Sequence, residues 1–243
     1  MGDLSAARIL AKCAGTRFRR IEVYPSVDST QTMLVAEGGP DGRVIVADHQ
    51  TAGRGRAGRE WLDVPGAMLM FSSLLRGIPA ERASRVALAG GVAVARAIET
   101  VGAVATGLKW PNDVRINRRK VCGMIGELAP SGEYVVLGIG VNVGHVAGEL
   151  PDELGATSIR LASGIAPRRD DLCAAILREL DALLMSDFMD EYRLRCETIG
   201  SEVRVEMHDA KVEGTATDVR DDGALMVDGW AVVAGDVVHV RDA

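Results

Sequence analysis

Near Arg195 the periodicity of this 243-residue chain changes, and that change constrains its architecture more than any other feature. Leu172, Ile176, Leu180, Leu183 and Leu184 recur at helical spacing and predict one long amphipathic helix over Arg168 to Tyr192. Beyond Arg195 come short β-like runs: Glu202 to Met207, Val212 to Val219, Ala224 to Val227, Ala231 to Val233 and Val237 to Val240. Their separators, His208-Asp209, Asp221-Asp222-Gly223, Asp228-Gly229 and Gly235-Asp236, are turn chemistry, so the tail reads as a small β-barrel. The earlier part mixes both element types. Strands are predicted at Phe18 to Tyr24, Arg43 to Asp48, Ala67 to Leu75, Gly107 to Trp110, Val121 to Leu128 and Tyr134 to Val143. Between them, Asp28-Ser29-Thr30 offers a cap for a helix over Gln31 to Glu37, and Glu81 to Thr100 is an alanine-rich helix whose Gly90-Gly91 pair permits close packing. The reading is therefore an α/β unit over residues 1–195 and a small all-β unit over 196–243.

The strand at Arg43 to Asp48 delivers the chain into Thr51-Ala52-Gly53-Arg54-Gly55-Arg56-Ala57-Gly58-Arg59-Glu60-Trp61. Three glycines here free the backbone to turn its N–H groups onto a ligand, and three arginines add positive charge, which together make an anion cradle. No Lys-Ser/Thr pair follows these glycines, so the Walker phosphate motif does not apply. The net charge of −6 confines any phosphate site to a local patch. Lysine stands only at Lys12, Lys109, Lys120 and Lys211, so arginine is the default cation and a lysine inside a motif carries more information.

Cys13, Cys122, Cys173 and Cys196 form no C-x-x-C pair, and His49, His145, His208 and His239 show no metal-ligand spacing. A reducing cytoplasm is the expected setting. The nearly apolar stretch Val86 to Ala95 is about half the ~20 residues that a membrane span requires. No G-x-S-x-G elbow supports covalent Ser/His/Asp catalysis.

Three further blocks admit both a functional and an ordinary structural role. Lys109-Trp110-Pro111-Asn112-Asp113 would present Lys109, Asn112 and Asp113 at a rigid turn, or simply join two strands around a core Trp110. Lys120 heads a strand containing Gly123 and Gly126, where glycine marks close approach of a ligand or second backbone, although a lysine at a strand mouth is usually only solvated. Gly138 to Val143 has the same signature, with Asn142 in an apolar setting or capping a turn.

Taken jointly and in order, Asp28-Ser29-Thr30, Gln50, Gly53 to Arg59, Lys109 to Asp113, Lys120 with Gly123, and Gly138 to Asn142 resemble the biotin protein ligases. The resemblance implies a class II synthetase-like catalytic domain, a mixed β-sheet flanked by helices, followed by an SH3-like barrel. It implies a ligase that activates biotin with ATP and Mg²⁺ to biotinyl-5′-AMP and transfers it to a lysine of the biotin carboxyl carrier domain of an acyl-CoA carboxylase. Ser29, Thr30, Gln31, Gln50, Arg54, Gly55, Arg56, Lys120 and Gly123 would then hold biotin. Arg56, Arg59, Trp61, Lys120 and Asn142 would hold the nucleotide, with Lys120 and Arg56 catalytic. Gln31 stands where the family often has Asn, and Ala57 where it often has a third close arginine. About seventeen residues precede the first predicted strand, too few for a helix-turn-helix module, so a monofunctional ligase without nucleic-acid or membrane partners is expected. The rivals are a lipoate or octanoate ligase or transferase of the same fold, and a non-enzymatic biotin-sensing or nucleic-acid-binding regulator.

Overall fold

The computed structural model describes residues 2–58, 61, 63–151, 153, 155–207 and 210–239. Its centre is a seven-stranded mixed sheet in the order β1-β2-β3-β7-β6-β5-β4, built from β1 (Arg20–Tyr24), β2 (Arg43–Ala47), β3 (Met68–Arg76), β4 (Gly107–Lys109), β5 (Asp113–Ile116), β6 (Arg119–Leu128) and β7 (Tyr134–Asn142). β1 and β2 run parallel; every other pair is antiparallel. The helices are α1 (Ala6–Lys12), α2 (Thr30–Glu37), α3 (Ala83–Gly102), α4 (Ile159–Ser163), α5 (Arg169–Leu184) and α6 (Met189–Arg195).

Strand alternation sorts the side chains of this sheet into two faces. Val44 and Val46 of β2, Leu69, Phe71 and Leu75 of β3, and Val135, Leu137, Ile139 and Val141 of β7 enter the main core with α1, α3, α5 and α6. Ile45, Leu74 and Val136 point the other way and pack with Leu34 of α2 in a smaller cluster. Gly90 brings α3 tightly onto the back of β6 and β7, because a Cβ there would lie 3.0 Å from both Leu137 and Met124. The opposite face, with only α2 over part of it, is left open for a ligand.

Strands β8 (Glu202–Glu206), β9 (Lys211–Val219), β10 (Leu225–Val227), β11 (Trp230–Val232) and β12 (Asp236–His239) form an antiparallel sheet in the order β11-β10-β9-β8-β12. All five were anticipated; the His208-Asp209 separator lies outside the described residues. Asp228 and Gly229 both take positive φ in the two-residue turn between β10 and β11, the backbone that Asp-Gly favours. Trp110 joins the two sheets: its indole N–H donates to Gly223 O at 2.9 Å and its backbone N–H to Thr198 Oγ1 at 3.0 Å.

One expectation needs correction, and three elements were missed. The single helix over Arg168 to Tyr192 is two, α5 and α6, because the apolar stripe ending at Leu183 meets Asp187 one turn later; that carboxylate turns out to accept from Met189 N–H and pair with Arg85. The turn at Trp110 to Asn112 joins β4 to β5 as expected of a turn between two strands, while the strand over Asp113 to Ile116, α1 and α4 were not anticipated. Among the described residues, no helix is long and apolar enough to cross a membrane.

Beside the cleft, buried Arg43 braces β1, β2 and α2 through Glu22, Glu37 and Gly38 O. The Arg43 hydrogen bond, helped by Tyr24 and Arg20, lowers the Glu22 carboxyl from the ordinary value of 4.5 to about 2. A depressed carboxyl stabilises the fold above its ordinary pKa, and that contribution disappears as pH falls from 4.5 towards 2. Glu22→Gln should therefore cost about 1–3 kcal/mol at pH 7 and much less near pH 2.5. Urea unfolding at the two pH values tests this; an equal cost at both would refute it.

Candidate active site

A cleft of about 390 Å³ opens on the α2 face of the central sheet, within the range usual for small-molecule sites. Its upper wall is the N-terminus of α2. Ser29 caps that helix, its Oγ accepting from Thr32 N–H at 3.4 Å. The loop entry pairs alongside: Thr51 N–H donates to Val27 O and Ala52 N–H to Asp28 O. This brings Gln50 over the helix end, where its Oε1 accepts from Thr30 N–H at 2.7 Å and Thr30 Oγ1 at 3.1 Å, while Thr30 Oγ1 also meets Ser72 Oγ at 2.8 Å. Gln31 Nε2 donates to Val136 O at 3.2 Å and Glu127 Oε2 at 3.4 Å. The buried Gln31 Oε1, by contrast, has no hydrogen-bond partner.

The floor comes from alternate positions of β6 and β7. Gly123 faces Gly140 across the ladder, and Gly138 follows two residues before it. The Trp61 indole lies on this pair: a Cβ would stand 2.8 Å from the ring at Gly140 and 2.9 Å at Gly123. Gly138 is kept bare by Gln31, whose Oε1 would be 2.6 Å from a Cβ there. The strand glycines thus admit two side chains of this protein as well as open space.

Lys120 reaches the cleft through a β-bulge. Val114 pairs with Cys122 and Arg115 with Lys120, leaving Val121 as the extra residue of β6. Lys120, three residues from Gly123, consequently shares its face; its ammonium lies 2.6 Å from Asp113 Oδ1 and 5.4 Å from the centre of the Trp61 ring. Residues 155–157 pair with its backbone, Lys120 N–H donating to Gly155 O and Thr157 N–H to Lys120 O. Asn142 secures that segment by donating from Nδ2 to Thr157 O at 2.9 Å.

The two described loop arginines are paired. Arg54 lies 3.2 Å from Glu127. Arg56 donates to Asn112 Oδ1 at 3.1 Å and Gly235 O at 3.3 Å, with Asp236 Oδ1 at 3.9 Å, so it joins the loop to β12. Deeper in, burial lowers the His145 pKa, against the pull of Glu149 and Asp63, and raises the Cys122 thiol, opposed by Lys120. Both favour the neutral form.

A family model for the biotin/lipoate A/B protein ligases matches residues 23–143, and one for the biotin protein ligase C-terminal domain matches 198–240. The chain is 38% identical to a biotin–[acetyl-CoA-carboxylase] ligase of Mycobacterium tuberculosis over 94% of its own length and 92% of the relative's. The chain belongs to the biotin protein ligase family. It is also 30% identical to a bifunctional ligase/repressor of Escherichia coli, covering 99% of this chain and 79% of that protein. Among solved structures, a biotin protein ligase of Aquifex aeolicus in complex with biotin and ATP superimposes with a TM-score of 0.81 at 29% identity, over 91% of this chain and 98% of the other. The fold is the α/β one expected, a mixed sheet flanked by helices and followed by a small antiparallel unit.

In this ligase fold Ser29, Thr30, Gln31, Gln50, Arg54, Gly55, Arg56, Trp61, Lys120, Gly123 and Asn142 all line one cleft. Arg59 lies outside the described residues. Asn112 and Asp113 of the Lys109 to Asp113 block line the cleft, whereas Lys109 does not. Met70, Ser72, Leu150 and Ala156 line it as well and were not anticipated, since nothing distinguishes them in sequence from ordinary strand and loop residues.

Gly140→Ala should displace the Trp61 indole, shifting its fluorescence in a Trp230→Phe background. Unchanged emission would mean that the ring does not rest on the Gly123–Gly140 pair.

Proposed function

We propose that this cleft joins biotin to ATP and then passes the biotinyl group to a protein lysine. The observation that carries the reading is Gln31 Oε1, a buried acceptor without a partner, because its amide N–H₂ is already committed to Val136 O and Glu127. A ligand seated there must supply an N–H, or the acceptor stays desolvated at a cost of about 1–3 kcal/mol. A ureido ring has such donors. The dithiolane of lipoate and the alkyl chain of octanoate have none, so the same-fold rival is disfavoured on this atom.

The charge follows the chemistry. In the first step a carboxylate oxygen of biotin bonds to the α-phosphorus of ATP, and the bond to the bridging oxygen breaks to release pyrophosphate. Two anions must meet, so positive groups set at the reacting centre stabilise the transition state more than the separated reactants. On this reading Lys120 bridges carboxylate and α-phosphate, and Arg56 holds the adenylate. Arg54, Gly55, Gly123, Ser29, Thr30, Gln31 and Gln50 surround biotin, and Arg59, Trp61 and Asn142 lie toward the nucleotide. Mg²⁺ would accompany the phosphates, which suits a cation that takes one or two carboxylates plus phosphate oxygens, and Asp113 is the cleft carboxylate able to face it. Bound there, the ion would neutralise phosphate charge.

In the second step a lysine amine attacks the acyl carbon, an amide forms, and AMP leaves. The carrier domain of an acyl-CoA carboxylase is the acceptor we propose.

Incubation with biotin and Mg-ATP, followed by mass spectrometry, should reveal biotinyl-5′-AMP; finding neither biotin binding nor adenylate would overturn the proposal. Lys120→Ala should slow adenylate formation at least about 100-fold while changing biotin affinity less than about 5-fold. An unchanged single-turnover rate would deny Lys120 its role. Gln31→Met, which keeps length and removes the acceptor, should weaken biotin binding about tenfold. Wild-type affinity in calorimetry would show that Gln31 Oε1 makes no ligand contact.

A further inference from the structure

Asp63 lies just beyond the Gly/Arg loop and its side chain is 6% exposed. One oxygen, Oδ2, accepts from Gln50 N–H at 2.7 Å and lies 2.7 Å from His49 Nδ1. His49 and Gln50 are the residues through which the chain enters the loop, and Trp61, two residues before Asp63, is where it leaves. A single carboxylate therefore binds the exit of the loop to its entry. Among the described residues, the backbone tie across the loop base is Trp61 N–H to Gly53 O, a longer bond of 3.2 Å.

Each end fixed by this clasp positions a group in the cleft. At the entry, the Gln50 backbone N–H is held by Asp63, and the same residue's side chain organises Thr30 at the start of α2. At the exit, Trp61 must lie flat on two glycines that leave no room for displacement toward the strands. Burying a carboxylate is costly unless donors satisfy it; the buried Oδ1 has no partner, so the His49 and Gln50 contacts on Oδ2 are what keeps Asp63 in its place.

We propose that Asp63 is a positioning residue: by clasping the two ends of the Gly/Arg loop it holds Gln50 where the acyl ligand needs it and Trp61 on the nucleotide side of the same cleft. The ligand part rests on the biotin reading above; the clasp does not. The test uses the full chain and three variants, Asp63→Ala, Asp63→Asn and His49→Ala, with two readouts. The first is tryptic cleavage after Arg54 and Arg56 without ligand, and the second is biotin affinity by calorimetry.

Asp63→Ala should raise the cleavage rate and weaken biotin binding, each by about tenfold. Asp63→Asn should restore both to within about threefold of wild type, since its amide oxygen still accepts from Gln50 N–H. His49→Ala should fall between the two. Wild-type cleavage and affinity in Asp63→Ala would overturn the proposal, as would an Asp63→Asn variant impaired as severely as Asp63→Ala. If Asp63→Ala does not fold, His49→Ala decides the matter: faster cleavage supports the clasp and unchanged cleavage overturns it. A wild-type protein that binds no biotin would sink the ligase reading while leaving the cleavage comparison intact.

Discussion

The site depends on one misfit in a strand. Lys120 and Gly123 are an odd number of residues apart, and a regular strand would send them to opposite faces. Val121, left unpaired opposite the Val114–Arg115 step, removes that mismatch and turns the lysine onto the glycine floor. Its backbone is held as well as its side chain: the segment 155–157 pairs with Lys120 beyond Asn142, where β7 ends, and Asn142 itself binds Thr157 O. The residue with most to do in the proposed chemistry is thus fixed by a backbone irregularity and by a strap from another part of the chain.

The floor shows why shape and polarity are inseparable here. Gly123, Gly138 and Gly140 leave a strip without side chains on the open face of β6 and β7, while Leu137, Ile139 and Val141 on the other side of the same strand are deep in the core. Alanine at any of the three would collide with Trp61 or Gln31. The strip is therefore both a slot and a seat for the side chains that roof it. Gln31 is longer by a methylene than the Asn common in the resembling family, and it spends that length reaching Glu127 at the sheet margin, which orients the amide so that its oxygen faces inward.

The parts legible in sequence were those encoded by local chemistry. Ser29 as a cap, the Gly/Arg loop, the glycine-bearing strands and the Asp-Gly hairpin each follow from what a residue can do with its own backbone. The assembly of Ser29, Gln50, Arg56, Lys120 and Asn142 into one cleft was read from the resemblance, not from any periodicity. What escaped were features set by a partner strand or segment rather than by a residue's own backbone. The bulge at Val121 exists only relative to β5. Ser72 counts as a cleft residue only because Thr30 lies over it, and Asp63 is an unremarkable loop aspartate until the fold returns it to Gln50. The break between α5 and α6 was partly visible, since Asp187 occupies the position where the apolar stripe would continue.

The electrostatics of the cleft explain how a chain of net charge −6 can recruit anions. Arg54, Arg56 and Lys120 stand near Glu127, Asp236 and Asp113 at 3.2, 3.9 and 2.6 Å respectively. None of these cations is deeply buried: Arg54 is 50% exposed, Lys120 33% and Arg56 24%, so each pair is held in partly solvated surroundings where an ion pair has little net strength. A phosphate or carboxylate that enters can therefore take over these partners at modest cost, and it meets three cations already oriented by the carboxylates it displaces. Arg56 adds a mechanical consequence, because its carbonyl partner Gly235 and its carboxylate partner Asp236 belong to the C-terminal unit. The five-stranded sheet that holds Arg56 is itself anchored to the central one by Trp110 through Gly223 and Thr198. The small sheet in this way helps to hold the loop arginine at the cleft.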